Sequence, residues 1–325
     1  MRQDRTRGPF VKAGRIAALV PALLAAGAGA GGAAAPPAGV RIAAIVSQDA
    51  LPYEEALAGF RSHMERQAEG APAQIDVYLL HGDAAGVDAA LQSARRDRAQ
   101  VLLTLGSLAT QAAVRQVKDI PIVAGLVLRT EDLEASANAT GVVLEFPVET
   151  ELRWLQRLLP GQRNIGVLFN PAENQGRIDL AARAARDMGL TLHARRVETP
   201  KDLPGALESL SSRADVLWGV ADQVVLNPQT VKPILLFSLH NRIPFVGLSA
   251  TWVKAGALYA LDRDYGDIGR QCAEMAAKIL QGTAPRSIAP ASPRKVVYSV
   301  NMKTARILKL DIQSGLLQGA LAVVD

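Results

Sequence analysis

The sequence predicts an α/β protein of two lobes, each a parallel sheet covered by helices on both faces. Three observations carry this. Short apolar runs alternate with longer amphipathic ones from Val40 to the C-terminus, the pattern of buried strands joined by crossover helices. Segments also recur at a fixed distance. Arg41–Ser47 matches Asn164–Asn170 in kind, and Ile120–Leu126 matches Ile243–Leu248, both at an offset of 123, with Arg98–Leu102 and Arg213–Leu217 between them at an offset of 115. Finally, 325 residues is enough chain for two domains.

The first 35 residues stand apart from this pattern. Arg2, Arg5, Arg7, Lys12 and Arg15 precede an apolar run from Ile16 to about Ala28, then small residues to Ala35 and the pair Pro36-Pro37. A basic start, a short apolar centre and a small-residue exit form a secretory signal peptide over residues 1–35. Cleavage fits after Ala33-Ala34-Ala35, with Ala28-Gly29-Ala30 as the alternative. The run is too short and too rich in Ala and Gly for a membrane span; an uncleaved amphipathic or anchoring helix is the other reading. Gly27, Gly29 and Gly32 match a dinucleotide-binding spacing. They follow an apolar leader rather than a strand, so no nucleotide cofactor is expected.

The leader also explains the charge. The chain carries 36 basic and 31 acidic residues, a formal +5. Five of those bases and one acid, Asp4, lie in the leader, which leaves 31 and 30, a net of +1. No basic run longer than two residues remains, so a nucleic-acid partner is not expected. A hydrophobic share of 49% excludes a disordered chain. One cysteine, Cys272, excludes an internal disulfide, and its apolar helical neighbours make it an inert core thiol.

Along the remaining chain, β-branched and aliphatic runs predict strands at Ile42–Val46, Ile75–Leu80, Val101–Leu105 and Ile122–Val127. Helices fall between them at Glu54–Gln67, where Ala56, Leu57, Phe60 and Met64 keep a helical spacing, at Ala84–Arg98, and at Leu108–Val117 with Ser107 as N-cap. The second series opens with a helix at Glu149–Leu159, closed by Pro160-Gly161. A strand at Ile165–Phe169 and a helix at Arg177–Met188 follow, and the runs Leu190–Val197, Leu203–Ser211 and Val216–Val220 continue the alternation. Then come a helix at Thr230–Asn241, strands at Phe245–Leu248 and Ala257–Leu261, and a long helix at Tyr265–Leu280 ended by Gly282. The tail holds a strand at Val296–Val300, a short helix from Lys303 and a last apolar stretch.

In such sheets, ligands sit at the carboxyl ends of strands, where the strand order reverses, and two facing lobes make a cleft there. The strand ends carry Ser47, Gln48 and Asp49; Gly106, Ser107 and Thr110 at a helix N-terminus; Leu128 and Arg129; Asn170 and Glu173; Asp222 and Gln223; and Ser249 and Trp252. That mixture suits a zwitterion. Helix amides and Ser107 would take its carboxylate, Asp222 or Glu173 its amine, and Tyr53 or Trp252 an apolar side chain. Ser, Asn and Asp are also ordinary caps, and Trp154 and Trp218 are expected to be packed. Chemistry is not signalled. The histidines are scattered, no metal-ligand spacing or nucleophile motif is present, and Ser249 lacks the second glycine of a nucleophile elbow. No catalytic residue, metal or cofactor is expected.

At this level of detail the chain resembles the periplasmic substrate-binding proteins of ABC transporters, in the branch whose members bind aromatic amino acids. The residues that carry the resemblance are Gly106–Ala112 (GSLATQA), Leu158–Pro171 (LLPGQRNIGVLFNP), Val253–Leu258 (VKAGAL), Asp264–Gly282 and Asn301–Ala305 (NMKTA). It implies a type I binding-protein fold of two Rossmann-like lobes with a three-strand hinge. The first lobe would take residues 36–146 and 251–289, the second 147–250 and 290–325. The chain would cross near Pro147, return near Ala250 so that Ala257–Gly282 completes the first lobe, and cross last near Pro290. The family's loops place Ser107, Thr110, Asn170, Asp222 and Ser249 at the cleft. Two departures, Leu128–Glu134 after the fourth strand and Leu108 where the family has proline, leave the ligand class open. The implied function is a monomeric periplasmic protein that binds a small molecule, such as an amino acid, by hinge closure and delivers it to an ABC transporter permease. It would contact the membrane only through that permease. The rival readings are a ligand sensor for a membrane kinase or receptor, and an enzyme using Asp222 or Glu173 as base.

Overall fold

The computed structural model describes residues 39–325 except 68–72, 129 and 135. The expected signal peptide lies outside the described residues, as does Arg129.

The first sheet is built from β1 (Arg41–Val46), α1 (Leu51–Gln67), β2 (Gln74–Leu79), α2 (Val87–Arg96), β3 (Val101–Leu105), α3 (Ser107–Gln116), β4 (Ile122–Val127), α4 (Glu131–Glu134) and β5 (Ala139–Val143). There follow α5 (Val148–Leu158), β6 (Asn164–Phe169), α6 (Pro171–Asp187), β7 (Thr191–Arg196), α7 (Leu203–Glu208), β8 (Val216–Trp218), α8 (Val231–Asn241), β9 (Phe245–Gly247), α9 (Ala250–Ala255) and β10 (Tyr259–Arg263). The chain ends with α10 (Tyr265–Leu280), β11 (Val296–Asn301), α11 (Met302–Leu308), α12 (Ser314–Gln318) and β12 (Ala322–Val324).

The sheets repeat one another. The first runs β2-β1-β3-β4-β5, all parallel, and the second runs β7-β6-β8-β9-β10-β11-β12. Its first five positions have the same order, all parallel, while β11 pairs antiparallel with β10 and β12 runs parallel to β11. The segments that recur in the sequence are β1 and β6, β3 and β8, β4 and β9, which hold equivalent places. Fully buried strands explain their unbroken apolar runs. Ile42, Ala44 and Val46 of β1 pack against Phe60, Ile268 and Cys272, while Ala43 and Ile45 pack with Leu91, Ala109 and Ala113 on the other face. Burial pushes the Cys272 thiol up to about 12, which keeps it protonated and unreactive as the sequence implied.

Each fifth strand hands its helix to the opposite lobe. After β5, Val148, Leu152, Leu155 and Leu158 of α5 join the core formed with β6 and α6. After β10, Ile268, Cys272 and Ala276 of α10 join the core formed with β1, β3 and α1. This corrects the expected return near Ala250. Helix α9 and strand β10 remain with the second sheet, where Tyr259 pairs with Val246 and Ala260 with Gly247. The chain goes back only after Arg263, because pairing β10 between β9 and β11 satisfies both of its edges. Short or glycine-bearing elements also escaped the sequence: α4, β5 with Gly141, α9 and α12. Helix α6 begins at Pro171, six residues before the apolar spacing becomes visible at Arg177.

The third crossing is pinned to the first lobe. Ala291 N donates to Gly141 O and Val143 N donates to Ala291 O, both at 2.9 Å. Asp267, 2% exposed, gathers the cations beside it. Arg294 Nε lies 2.8 Å, Arg270 Nη2 3.1 Å and Lys295 Nζ 3.5 Å from its carboxylate, and Asp264 and Glu274 share the same partners. Burial works to raise the Asp267 pKa, but the Arg294 hydrogen bonds and charge, with Arg270 and Lys295, outweigh it, and the carboxyl titrates below its usual range. A depressed carboxyl stabilises the fold above its unfolded pKa of about 4, and that contribution is lost as pH falls through the folded value. Thermal melts below pH 4 are therefore expected to fall more steeply for the wild type than for Asp267→Asn, which is already less stable at pH 7. Parallel pH profiles for the two proteins would contradict this assignment.

Candidate functional site

The strand order reverses between β1 and β3 in one sheet and between β6 and β8 in the other. Nine of the eleven residues expected at the site follow the strands that flank these two points, Ser249 and Trp252 follow β9, and several of the eleven make hydrogen bonds within their own lobe.

In the first lobe, Ser47 is 2% exposed and its Oγ accepts from Ala109 N of α3 at 3.1 Å. Gly106 sits over it with φ 92°, a conformation that needs glycine. A Cβ there would lie 2.7 Å from Ser47 Oγ and 2.8 Å from Cε1 of Tyr53. Ser47, Tyr53 and Gly106 are thus packed together, and burial raises the Tyr53 pKa. Ser107 is half-buried and Gln48 exposed. Thr110 departs from expectation. It is fully buried, and its hydroxyl is bonded to that of Thr104 at 2.9 Å, so it joins α3 to β3.

In the second lobe, Asn170 caps α6, its Oδ1 accepting from Ala172 N at 3.1 Å. Asp222, 6% exposed, uses both carboxylate oxygens inside the protein. Oδ2 accepts from Asn170 N at 2.6 Å and from Asn174 Nδ2 at 2.9 Å; Oδ1 accepts from Val224 N at 3.0 Å and Val225 N at 2.9 Å. A carboxylate has about four acceptor positions. All are occupied, so Asp222 ties the β8 exit to α6 instead of offering a free acceptor to a ligand amine or a catalytic base. Glu173 is exposed and accepts from Gln223 N at 3.2 Å. Ser249 starts α9 without capping it. Trp252 packs edge-on against Phe245, with ring centroids 5.8 Å apart, and belongs with the core beside α8.

None of these eleven residues lines the cavity that the fold leaves open at the hinge. That cavity, of about 220 Å³, is walled by Leu128 beyond β4, Leu144 and Phe146 of the first crossing, Glu151 of α5, Trp218, Gly219 and Ala221 of the β8 exit, Val246–Leu248 of the β9 exit, and Tyr259, Leu261 and Arg263 of β10. Its walls come from the second sheet, from two hinge crossings and, on the side of the first lobe, from Leu128 just past β4. At its edge β4 is irregular. Leu126 has φ 58° and the register with β5 shifts between Gly125 and Val127, the kind of bulge that re-aims a strand beside a site. Trp218, expected to be packed, both fills the core and faces this space.

The cavity is apolar except for a cluster of charge. Glu151 Oε2 accepts from Arg177 Nη2 at 2.7 Å, and Arg177 Nη1 also donates to Glu145. The Arg177 guanidinium lies 5.7 Å from the centre of the Trp218 ring. Burial raises the Glu151 pKa, opposed by the charges of Arg177 and Arg263. Arg263 lies 4.7 Å from the centre of the Phe146 ring, and its Nε donates to Leu144 O at 2.7 Å. It therefore ties the second crossing to the first. Sequence reading missed these residues, although a signal existed. Glu151 follows Val148 by three residues on the stripe that buries Val148, Leu152 and Leu155, an acid set among core positions.

Comparison with known proteins agrees with this architecture. A family model described as ABC transporter substrate binding protein matches residues 39–324. A tyrosine-binding protein of Clostridioides difficile is 23% identical over 270 residues, 79% of this chain and 77% of that protein. The ligand-free, open structure of a substrate-binding protein with adhesive properties from Clostridium difficile superposes with a TM-score of 0.72 at 20% identity, over 88% of this chain and 99% of that one. An ABC domain from Streptococcus pneumonia in complex with L-Trp superposes with a TM-score of 0.57 at 17% identity, over 88% of this chain and all 100% of the other.

Proposed function

The chain belongs to the ABC transporter substrate-binding protein family, and from that premise we propose that it is the exported solute-binding component of an ABC import system, with an amino acid as its ligand. The observation that carries this is the hinge cavity. Its apolar and aromatic wall is drawn from the second sheet, from the crossings that join the lobes and from Leu128 just past β4 of the first, so one small molecule there touches both lobes and their hinge. Contacts to both lobes favour a closed state, and a permease that recognises that state receives only loaded protein. The family's role supports binding rather than turnover, and Asp222, named above as a possible base, is occupied as an internal acceptor. Among the described residues no helix is long and apolar enough to cross a membrane. We place the mature protein in the periplasm, reached by way of the N-terminal leader and monomeric in action.

Isothermal titration against the proteinogenic L-amino acids tests this reading. At least one is expected to saturate at one molecule per chain with a Kd of about 1 μM or tighter, near −8 kcal/mol. Folded protein that binds none of them would overturn the amino-acid assignment.

A further inference from the structure

Resting on that reading, we propose that Glu151 and Arg263 are the two polar anchors of the cavity, Glu151 holding the ammonium and Arg263 the carboxylate of an amino acid whose apolar side chain lies against Phe146, Trp218 and Tyr259. The balance of charge around the cavity carries this. One cation, Arg177, serves two carboxylates, Glu145 and Glu151, so that group alone is short of one positive charge. Glu151 is the member that lines the cavity, and only 19% of its side chain is exposed. A carboxylate taken out of water to this degree gains from a second cation. Arg263 has the opposite deficiency. Among the described residues its side chain makes one hydrogen bond, from Nε to a backbone carbonyl, and no carboxylate is ion-paired with its terminal nitrogens. Those nitrogens form half of the fork that grips a carboxylate, and the face of the guanidinium is fixed over Phe146.

The four groups sum to zero charge, so a net cation or a net anion would leave one anchor unpaired in an apolar wall. A zwitterion satisfies both. The remaining wall, Leu128, Leu144, Leu248 and Leu261 with the three aromatics, offers no partner to a charged ligand side chain. Arg263 also has a mechanical position. It already bridges the first and second crossings, so a ligand carboxylate on its outer nitrogens is felt directly at the hinge.

The test uses the whole protein and three probes that share one side chain: L-tyrosine, tyramine without the carboxylate, and 3-(4-hydroxyphenyl)propionate without the amine. L-leucine, isoamylamine and 4-methylpentanoate form a parallel set. On the wild type each truncated probe is expected to bind at least 100-fold more weakly than its parent amino acid. Glu151→Gln is expected to weaken the amino acid about 30-fold or more and to erase most of its preference over the des-amino acid. Arg263→Gln does the same for the preference over the amine. A residue needed only for folding would lower the melting temperature without changing these ratios, and the wild-type series requires no variant at all. Wild type that binds an amino acid while both variants keep its affinity and its ratios would overturn the anchors and leave the proposed function standing. Folded wild type that binds neither these probes nor any other amino acid would overturn the proposed function, and the anchors with it.

Discussion

Gly269→Ala is expected to destabilise the first lobe by about 3–5 kcal/mol, one of the largest effects any single methyl can have here. In an isolated helix the same change stabilises by about 1 kcal/mol, because glycine is the poorer helix former. The sign reverses because α10 crosses α1 at backbone distance. A Cβ on Gly269 would lie 1.8 Å from Ala56 O and 2.9 Å from Phe60 N, and one on Gly59 of α1 would lie 2.0 Å from Gly266 O. None of these obstacles is a side chain that can rotate away. The helices must separate by roughly 1.5 Å to reach ordinary contact, which opens the core formed by Phe60, Met64, Ile268 and Cys272. Gly176 of α6 is the control, since a Cβ there meets nothing within 4 Å, and Gly176→Ala should be neutral or stabilising by up to about 1 kcal/mol. Thermal melts of the two variants check this, with a fall of roughly 5–15 °C expected for Gly269→Ala. Equal midpoints would mean the helices do not cross as described.

Asp222→Asn is expected to cost about 2–4 kcal/mol of stability. The amide nitrogen has to face either Asn170 N and Asn174 Nδ2 or Val224 N and Val225 N, and each choice sets a donor against two donors. Urea unfolding with ligand titration of the folded variant separates the two roles this residue could play. A lower unfolding midpoint with a ligand Kd within about threefold of wild type fits an internal tie. Unchanged stability with lost affinity would restore Asp222 as the amine anchor.

The fold was legible wherever strands are buried on both faces, because burial imposes unbroken apolar runs. Strands β1, β3 and β4 and their counterparts β6, β8 and β9 recur in the chain for that reason. What was hidden has physical causes. Strand β5 is short and carries Gly141 where β4 comes close, so its composition resembles a loop. The start of α6 rests on a cap and on Pro171 at the first helical position rather than on apolar spacing. The lobe to which β10 belongs depends on pairing with β9 and β11, which no local pattern encodes. At the site, the strand ends were found, but polar residues there turned inward. Ser47 holds α3 and Asp222 holds α6, internal bonds that residue type alone does not reveal. Glu151 left a local trace, an acid on the apolar stripe of α5, but its meeting with Arg263 at one cavity depends on crossings distant in sequence.

Closure of the two lobes on one small molecule at the hinge, as proposed, makes the loaded protein more compact. Small-angle X-ray scattering of the protein, alone and with the amino acid that saturates it in calorimetry, tests this most directly. A smaller radius of gyration in the bound state is the predicted result. A radius of gyration that does not change in the presence of saturating ligand would contradict closure.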